Sequence, residues 1–166
     1  MVIIQKATIE DVPEIKKLLF ATWTFAYKDI LTLDEIKKIT SKWHSPEVLS
    51  KEINNPQNVF FIAKIGEKIV GQCNAESRES GKTVYIERIH VLPDYHRQGI
   101  GKKLMEEVLS YCPEAQSVIL EVEKDNERAY LFYKKLGFQK VGDKQFIVDD
   151  IQMKCDVLEK ILKKEK

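Results

Sequence analysis

Apolar residues change their spacing several times along the chain, and each change marks an element. Val2 to Lys6 (VIIQK) reads as a short first strand. Thr8 with Asp11 three residues on is a helix-start signal. Val12, Ile15, Leu18 and Leu19 then recur at helical spacing to about Ala26. Thr32 with Glu35 opens a second, short helix carrying Leu33, Ile36 and Ile39. Ser45-Pro46 opens a third, with proline where its missing N–H does no harm, and Asn54-Asn55-Pro56 stops it. From Val59 the period falls to two. Val59 to Ile65 reads as a strand, Gly66-Glu67 as a hairpin turn, and Ile69 to about Glu76 as the partner. Ser80-Gly81 turns the chain into a strand from Val84 to Val91, in which Val84, Ile86, Ile89 and Val91 are candidates for the core.

Leu92-Pro93-Asp94 breaks that strand, and a glycine-containing loop runs from Tyr95 to Gly101. Leu104, Met105, Val108 and Leu109 lie on the helix that follows. Ser117 to Val122 is a further strand, and Asn126 to Leu136 a helix that Gly137 caps. Phe138 to Val141 and Phe146 to Ile151 onward read as two last strands, and the tail LEKILKKEK as a lysine-rich surface end or a few residues of helix. Helices on both sides of a strand-built middle predict one α/β or α+β domain spanning residues 1–166.

Composition narrows the setting. Hydrophobic residues make up 43% and charged residues 32%, as in a folded globular chain, and the net charge is only +1. Lysines are interspersed with acids, so neither a nucleic-acid nor a membrane partner is expected. No apolar run approaches a bilayer span, and the N-terminus lacks the basic stretch of a signal peptide. Cys73, Cys112 and Cys155 fit neither a disulfide framework nor a zinc site, and suit a reducing cytoplasm. His44, His90 and His96 lack a ligand spacing, so no metal is expected.

The sharpest local feature is Gln98-Gly99-Ile100-Gly101-Lys102-Lys103, between a strand and an amphipathic helix. A helix N-terminus exposes unpaired N–H groups and the positive end of its dipole. Glycines let a phosphate approach them, and Arg97, Lys102 and Lys103 add charge. The nucleoside-triphosphate loop GxxxxGK[ST] is not met. The dinucleotide fingerprint lacks its third glycine and lies in mid-chain. A tight turn before a helix is the plain alternative.

The stretch VLPDYHRQGIGKKLMEEVL, Val91 to Leu109, resembles the acetyl-CoA loop of the GNAT superfamily of acetyltransferases. That loop reads Gln or Arg, two residues, Gly, any residue, Gly or Ala. Gly99 and Gly101 match, whereas His96 stands where the family has Gln or Arg. A second stretch, Asn126 to Phe138, matches the family pattern N-x-x-A-x-x-F-Y-x-K-x-G-F. The resemblance implies one acetyltransferase domain with a central mixed, mostly antiparallel sheet flanked by helices. A splayed strand pair would bind the pantetheine arm of acetyl-CoA. Thr24 to Asp29, Glu87-Arg88-Ile89 and the Asn126–Phe138 run are similar to the PaiA-type spermidine/spermine acetyltransferases.

Site residues follow from that resemblance. The coenzyme would lie on the backbone of Ile89, His90 and Val91, on the loop His96, Arg97, Gln98, Gly99, Ile100, Gly101 and Lys102, and against Asn126, Tyr133 and Lys135. Tyr133 is the candidate proton donor to the sulfur, with a packed aromatic as the bland reading. Glu87 is the candidate base, acting directly or through water; His90, or no dedicated side chain, remains an alternative. On a regular strand Glu87 shares the face of Ile89 and Val91, and His90 lies opposite. A polyamine would be anchored by carboxylates, for which Asp29, Glu76 and Glu87 are candidates. The partner is then a small-molecule amine. Another amine acceptor, a non-catalytic acetyl-CoA-binding module and a homodimer all stay open.

Overall fold

The computed structural model describes residues 1–162. The chain runs β1 (Val2–Lys6), α1 (Val12–Tyr27), α2 (Leu33–Trp43), α3 (Pro46–Asn54), β2 (Asn58–Ile65), β3 (Lys68–Arg78), β4 (Thr83–Val91), α4 (Ile100–Ser110), β5 (Ser117–Glu123), α5 (Glu127–Lys135), β6 (Gln139–Val148) and β7 (Ile151–Ile161). The helix starts follow local chemistry. Thr32 Oγ1 accepts from the Glu35 N–H (3.2 Å) while the Glu35 carboxylate accepts from the Thr32 N–H (2.7 Å). Ser45 caps Val48 N–H at the head of α3.

The seven strands form one sheet in the order β1-β2-β3-β4-β5-β7-β6. Every neighbouring pair is antiparallel except β4 and β5. The expected α/β domain with a mixed, mostly antiparallel sheet flanked by helices is therefore present. One face buries Phe61, Val84, Ile86, Val118 and Leu120 against Ile100, Leu104, Met105 and Val108 of α4 and Tyr133 of α5. The other face buries Phe60 and Ile62 under Ile15, Leu18 and Leu19 of α1 and Leu49 of α3. Further along, Trp23 and Tyr27 of α1 and Ile36 and Ile39 of α2 pack on Val148, Ile151 and Met153. Among the described residues no helix is long and apolar enough to cross a membrane.

Two expectations at the C-terminal end need correction. β6 is one strand, not two pieces, because a bulge between Lys140 and Gly142 absorbs Val141 without ending the ladder with β7. At the sheet edge most of its side chains are exposed, so its apolar alternation is weak. Residues 158–161 are strand, not a surface end or helix. Leu158 is fully buried and pairs with Leu120 on one side and Lys140 on the other. The rest of that tail, residues 163–166, lies outside the described residues.

Candidate active site

A cleft of about 1300 Å³ opens where β4 and β5 part. The two strands pair only over Thr83–Ile86 and Ser117–Leu120. Beyond that, β4 continues along β3 to Val91 and β5 along β7 to Glu123. The edges that face each other across the gap have no partner strand, and buried backbone N–H and C=O groups need one. An extended ligand with its own amides fits such a gap.

The parting starts at an irregularity. The β3–β4 register passes from Ala75↔Ile86 to Asn74↔Arg88, which leaves Glu87 as the extra residue of a bulge. The bulge resets the alternation. Val84, Ile86, Ile89 and Val91 all turn to the α4 core. Glu87 faces Arg78, with Oε1 3.7 Å from its guanidinium. Arg88 Nη1 donates to Glu52 of α3 at 3.0 Å. The regular-strand expectation therefore fails: Glu87 does not share the face of Ile89 and Val91, and Glu87 and His90 both line the cleft.

Their environments separate them as bases. Burial raises the Glu87 carboxyl above its ordinary range, and the Arg88 and Arg78 cations oppose that rise. Burial, then the Arg88 charge, holds the His90 imidazole down at about 3. His44, at the end of α2, is held down to about 2 for the same two reasons and by His90 itself. Glu87 thus moves toward neutral pH and His90 away from it, which reverses the intrinsic advantage of histidine.

At the other end of the cleft the chain leaves β4, turns, and enters α4. Arg97 (φ 61°) and Gly99 (φ 76°) both adopt the left-handed conformation. A turn of this kind directs successive N–H groups into a concavity, here at the head of α4. A Cβ built on Gly99 would meet no protein atom within 4 Å, so the space outside the loop is open. Gly101 has another role: its Cβ would stand 3.1 Å from Phe132 Cζ, so its absence lets α4 and α5 approach. Arg97, Gly99, Ile100 and Gly101 line the cleft. Gln98 is exposed, and Lys102 pairs with Glu106, one turn further along α4, at 3.7 Å; neither lines the cleft.

The cleft closes on α5. Asn126 caps this helix, its Oδ1 accepting from Ala129 N–H at 3.2 Å, and it also lines the cleft. Tyr133 is buried between Phe132 and Phe138, with ring centroids 5.1 and 5.6 Å away. Burial pushes its phenol far up, with the Cys73 and Tyr27 groups adding to the shift, so it keeps its proton. Lys135 lines the same wall.

The carboxylates at the cleft differ from those expected. Asp29 lies exposed in the turn after α1, and Glu76 is engaged with Arg78 Nε at 2.9 Å; neither lines the cleft. Glu121 and Glu123 do line it, on the face of β5 opposite the buried Leu120 and Val122. Glu121 accepts from Lys144 at 2.9 Å, and burial raises the Glu123 carboxyl. The alternation Leu120-Glu121-Val122-Glu123 just before Asn126 was the available signal for both. Tyr27 was also missed. Burial pushes its phenol up to about 12, against a hydrogen bond from the Asn126 side chain.

Comparison with known proteins agrees with this geometry. A family model described as the acetyltransferase (GNAT) family matches residues 14–138. The chain is 33% identical over 101 residues to the N-alpha-acetyltransferase RimI of Mycobacterium tuberculosis, covering 58% of this chain and 62% of that one. It thus spans about three-fifths of the length of that relative. It is 32% identical over 117 residues to N-alpha-acetyltransferase 30 of Schizosaccharomyces pombe, covering 67% of this chain and 76% of that one. The PaiA N-acetyltransferase of Thermoplasma acidophilum, solved with coenzyme A, has the same fold. Its TM-score is 0.85 at 21% identity, over 98% of this chain and 99% of that one. The phosphate loop, the parted strands and Tyr133 all lie within the matched span, and the chain belongs to the GNAT acetyltransferase family.

Proposed function

We propose that this protein transfers an acetyl group from acetyl-CoA to a primary amine of a polyamine such as spermidine or spermine. The observation that carries the reading is the parting of β4 and β5, with a phosphate-accepting helix start at one end and Glu87, Glu121 and Glu123 around the other. The pyrophosphate sits on the Arg97–Gly101 N–H groups, and the pantetheine amides complete the free edges of the two strands. Asn126 and Tyr133 then flank the thioester.

The amine arrives protonated and must lose a proton before it attacks. Glu87 takes it, directly or through a water. Its raised carboxyl makes it a better base than an exposed glutamate. The nitrogen lone pair forms the C–N bond as the C–S bond breaks, and the Tyr133 phenol supplies the proton to the departing sulfur. Products are the N-acetylamine and free coenzyme A; Glu87 returns its proton to solvent, and the second proton that the nitrogen sheds on becoming an amide replaces the one Tyr133 gave up. The remote ammonium groups of a polyamine lie against Glu121 and Glu123, so binding energy away from the reacting nitrogen is used for orientation.

A second reading is a peptide or protein N-terminal amine as acceptor. It is favoured by the N-alpha-acetyltransferases of M. tuberculosis and S. pombe, two relatives above 30% identity. One experiment separates the two. Steady-state rates are compared for spermidine, spermine, lysine, a monoamine and a short peptide with a free N-terminus, at low and high salt. The polyamines should have the highest kcat/KM, and that advantage should shrink with salt. A peptide that outruns them independently of salt selects the second reading. No turnover with any amine refutes both.

A further inference from the structure

We propose that Arg128 is a phosphate-binding residue for the coenzyme, held in place by His96, which stands where the family loop begins with Gln or Arg. The inference rests on the acetyl-CoA reading and is independent of which amine is acetylated.

The two nitrogens of His96 are both engaged. Nε2 lies 2.8 Å from the Val91 carbonyl oxygen, and Nδ1 lies 2.9 Å from Arg128 Nη1. A carbonyl only accepts and a guanidinium only donates, so the ring carries its proton on Nε2 and accepts at Nδ1. His96 therefore has no hydrogen-bonding capacity left for a ligand. It ties the end of β4 to the first turn of α5.

Arg128 is held from a second side. Its guanidinium lies 5.4 Å from the Phe25 ring centroid, and Phe25 packs edge-on to His96 at 5.7 Å. Phe25 is 40% exposed, although it is a large apolar residue of α1. The three side chains come from α1, the phosphate loop and α5, and all three line the cleft.

The charge of Arg128 is left over. Its contacts are a neutral ring nitrogen and an aromatic face, and no carboxylate among the described residues is within ion-pair distance of it. Arg88, by contrast, is ion-paired with Glu52, and Arg78 with Glu76. A guanidinium fixed in place, facing a cleft and short of an anion is pre-organised for phosphate. The anion at this end of the cleft is the pyrophosphate on the Arg97–Gly101 turn. His96 is thus a positioning residue. Its ring sets the guanidinium, which makes the contact.

The test is calorimetric titration of the unliganded protein with coenzyme A, for wild type, Arg128→Ala, Arg128→Lys, His96→Ala and the double variant His96→Ala/Arg128→Ala. Thermal denaturation verifies that each is folded. Arg128→Ala should weaken coenzyme A about tenfold, the size of one hydrogen bond to a charged group. Arg128→Lys should recover part of this, since the charge remains without the two-pronged geometry. His96→Ala should weaken binding less than Arg128→Ala, and the double variant no more than Arg128→Ala alone. The salt dependence of the dissociation constant should flatten in Arg128→Ala. Wild-type affinity in Arg128→Ala overturns the phosphate role. Fully additive losses overturn the coupling to His96. Failure of the wild type to bind coenzyme A refutes the acetyl-CoA reading itself, a different result from either.

Discussion

The two glycines of the phosphate loop look alike in sequence, yet substituting each with alanine should break a different property. Gly99 has a left-handed backbone (φ 76°) and open space where a Cβ would go. Gly99→Ala therefore meets no steric clash within the protein, and its folding cost is the backbone penalty alone, about 1–2 kcal/mol. The new methyl instead stands in the space through which a phosphate reaches the N–H groups. Losing one or two hydrogen bonds to a charged group, at about 1.5–3 kcal/mol each, weakens coenzyme A by about ten- to a hundredfold or more. Gly101 lies within α4, and alanine there gains about 1 kcal/mol of helix propensity. Its Cβ, however, would lie 3.1 Å from Phe132 Cζ, and overpacking costs about 1–3 kcal/mol, so the net loss is about 0–2 kcal/mol. Relief of that contact moves α5, which carries Tyr133 beside Phe132. Turnover should then fall while coenzyme affinity changes less. Urea denaturation, calorimetry with coenzyme A and steady-state kinetics on both variants measure the three quantities. Wild-type coenzyme A binding by Gly99→Ala, or an exchange of profiles between the two variants, refutes these roles for the glycines.

Further outcomes follow from the titratable groups. Tyr133→Phe should lower kcat by about tenfold or more, in the range of general acid catalysis, with the dissociation constant of coenzyme A nearly unchanged in calorimetry. Wild-type turnover across the pH range would end the proton-donor role. Glu87 works as a base only when ionised and its folded pKa is raised, so kcat/KM should fall as pH drops through that raised value. Glu87→Gln should lower the rate about a hundredfold and remove this limb of the pH profile; a variant that keeps the limb assigns it to another group. His44 and His90 are held neutral at about 2 and 3, well below the ordinary value of 6.5. Below that value the unfolded chain binds protons that the folded chain refuses. Their contribution to stability is thus full above about pH 6.5 and is lost as pH falls, by up to about 2.7 kcal/mol per pH unit for the two together. Urea midpoints from pH 7 to 5 measure it, and His44→Phe should reduce the slope.

How much of this was legible in the sequence depended on how local the cause was. The caps at Thr32 and Ser45 act within three residues, so the helix starts are readable directly. The head of α4 is local in the same sense, and so is Gly99, whose backbone conformation a strand-to-helix turn demands. β6 hid its continuity because an edge strand buries little and has no strong apolar alternation. Asp29 and Glu76 are acids near the right segments, but proximity in sequence does not decide direction. Glu76 turns to Arg78, and the turn after α1 leaves Asp29 in solvent. Glu121 and Glu123 have a readable alternation with Leu120 and Val122, but only the parting of β4 from β5 turns their face into a cleft wall.

Glu87 is placed by both a local and a non-local cause. Its position on β4 is plain from the sequence, while its direction is set by β3. Counting by twos from Val91 gives the wrong face, because the ladder with β3 has one residue more on β4 than on its partner. That single extra residue does three things together. It keeps Val84, Ile86, Ile89 and Val91 in one core on both sides of the irregularity, so the strand loses no apolar burial. It brings Glu87 and His90 onto the cleft. It also coincides with the end of β4–β5 pairing at Ile86 and Leu120, where a bend in one strand takes its free edge away from a neighbour that runs straight along β7. The gap proposed for the coenzyme and the carboxylate proposed for the amine therefore meet at one irregularity. Both depend on a pairing between strands that no reading of β4 by itself contains.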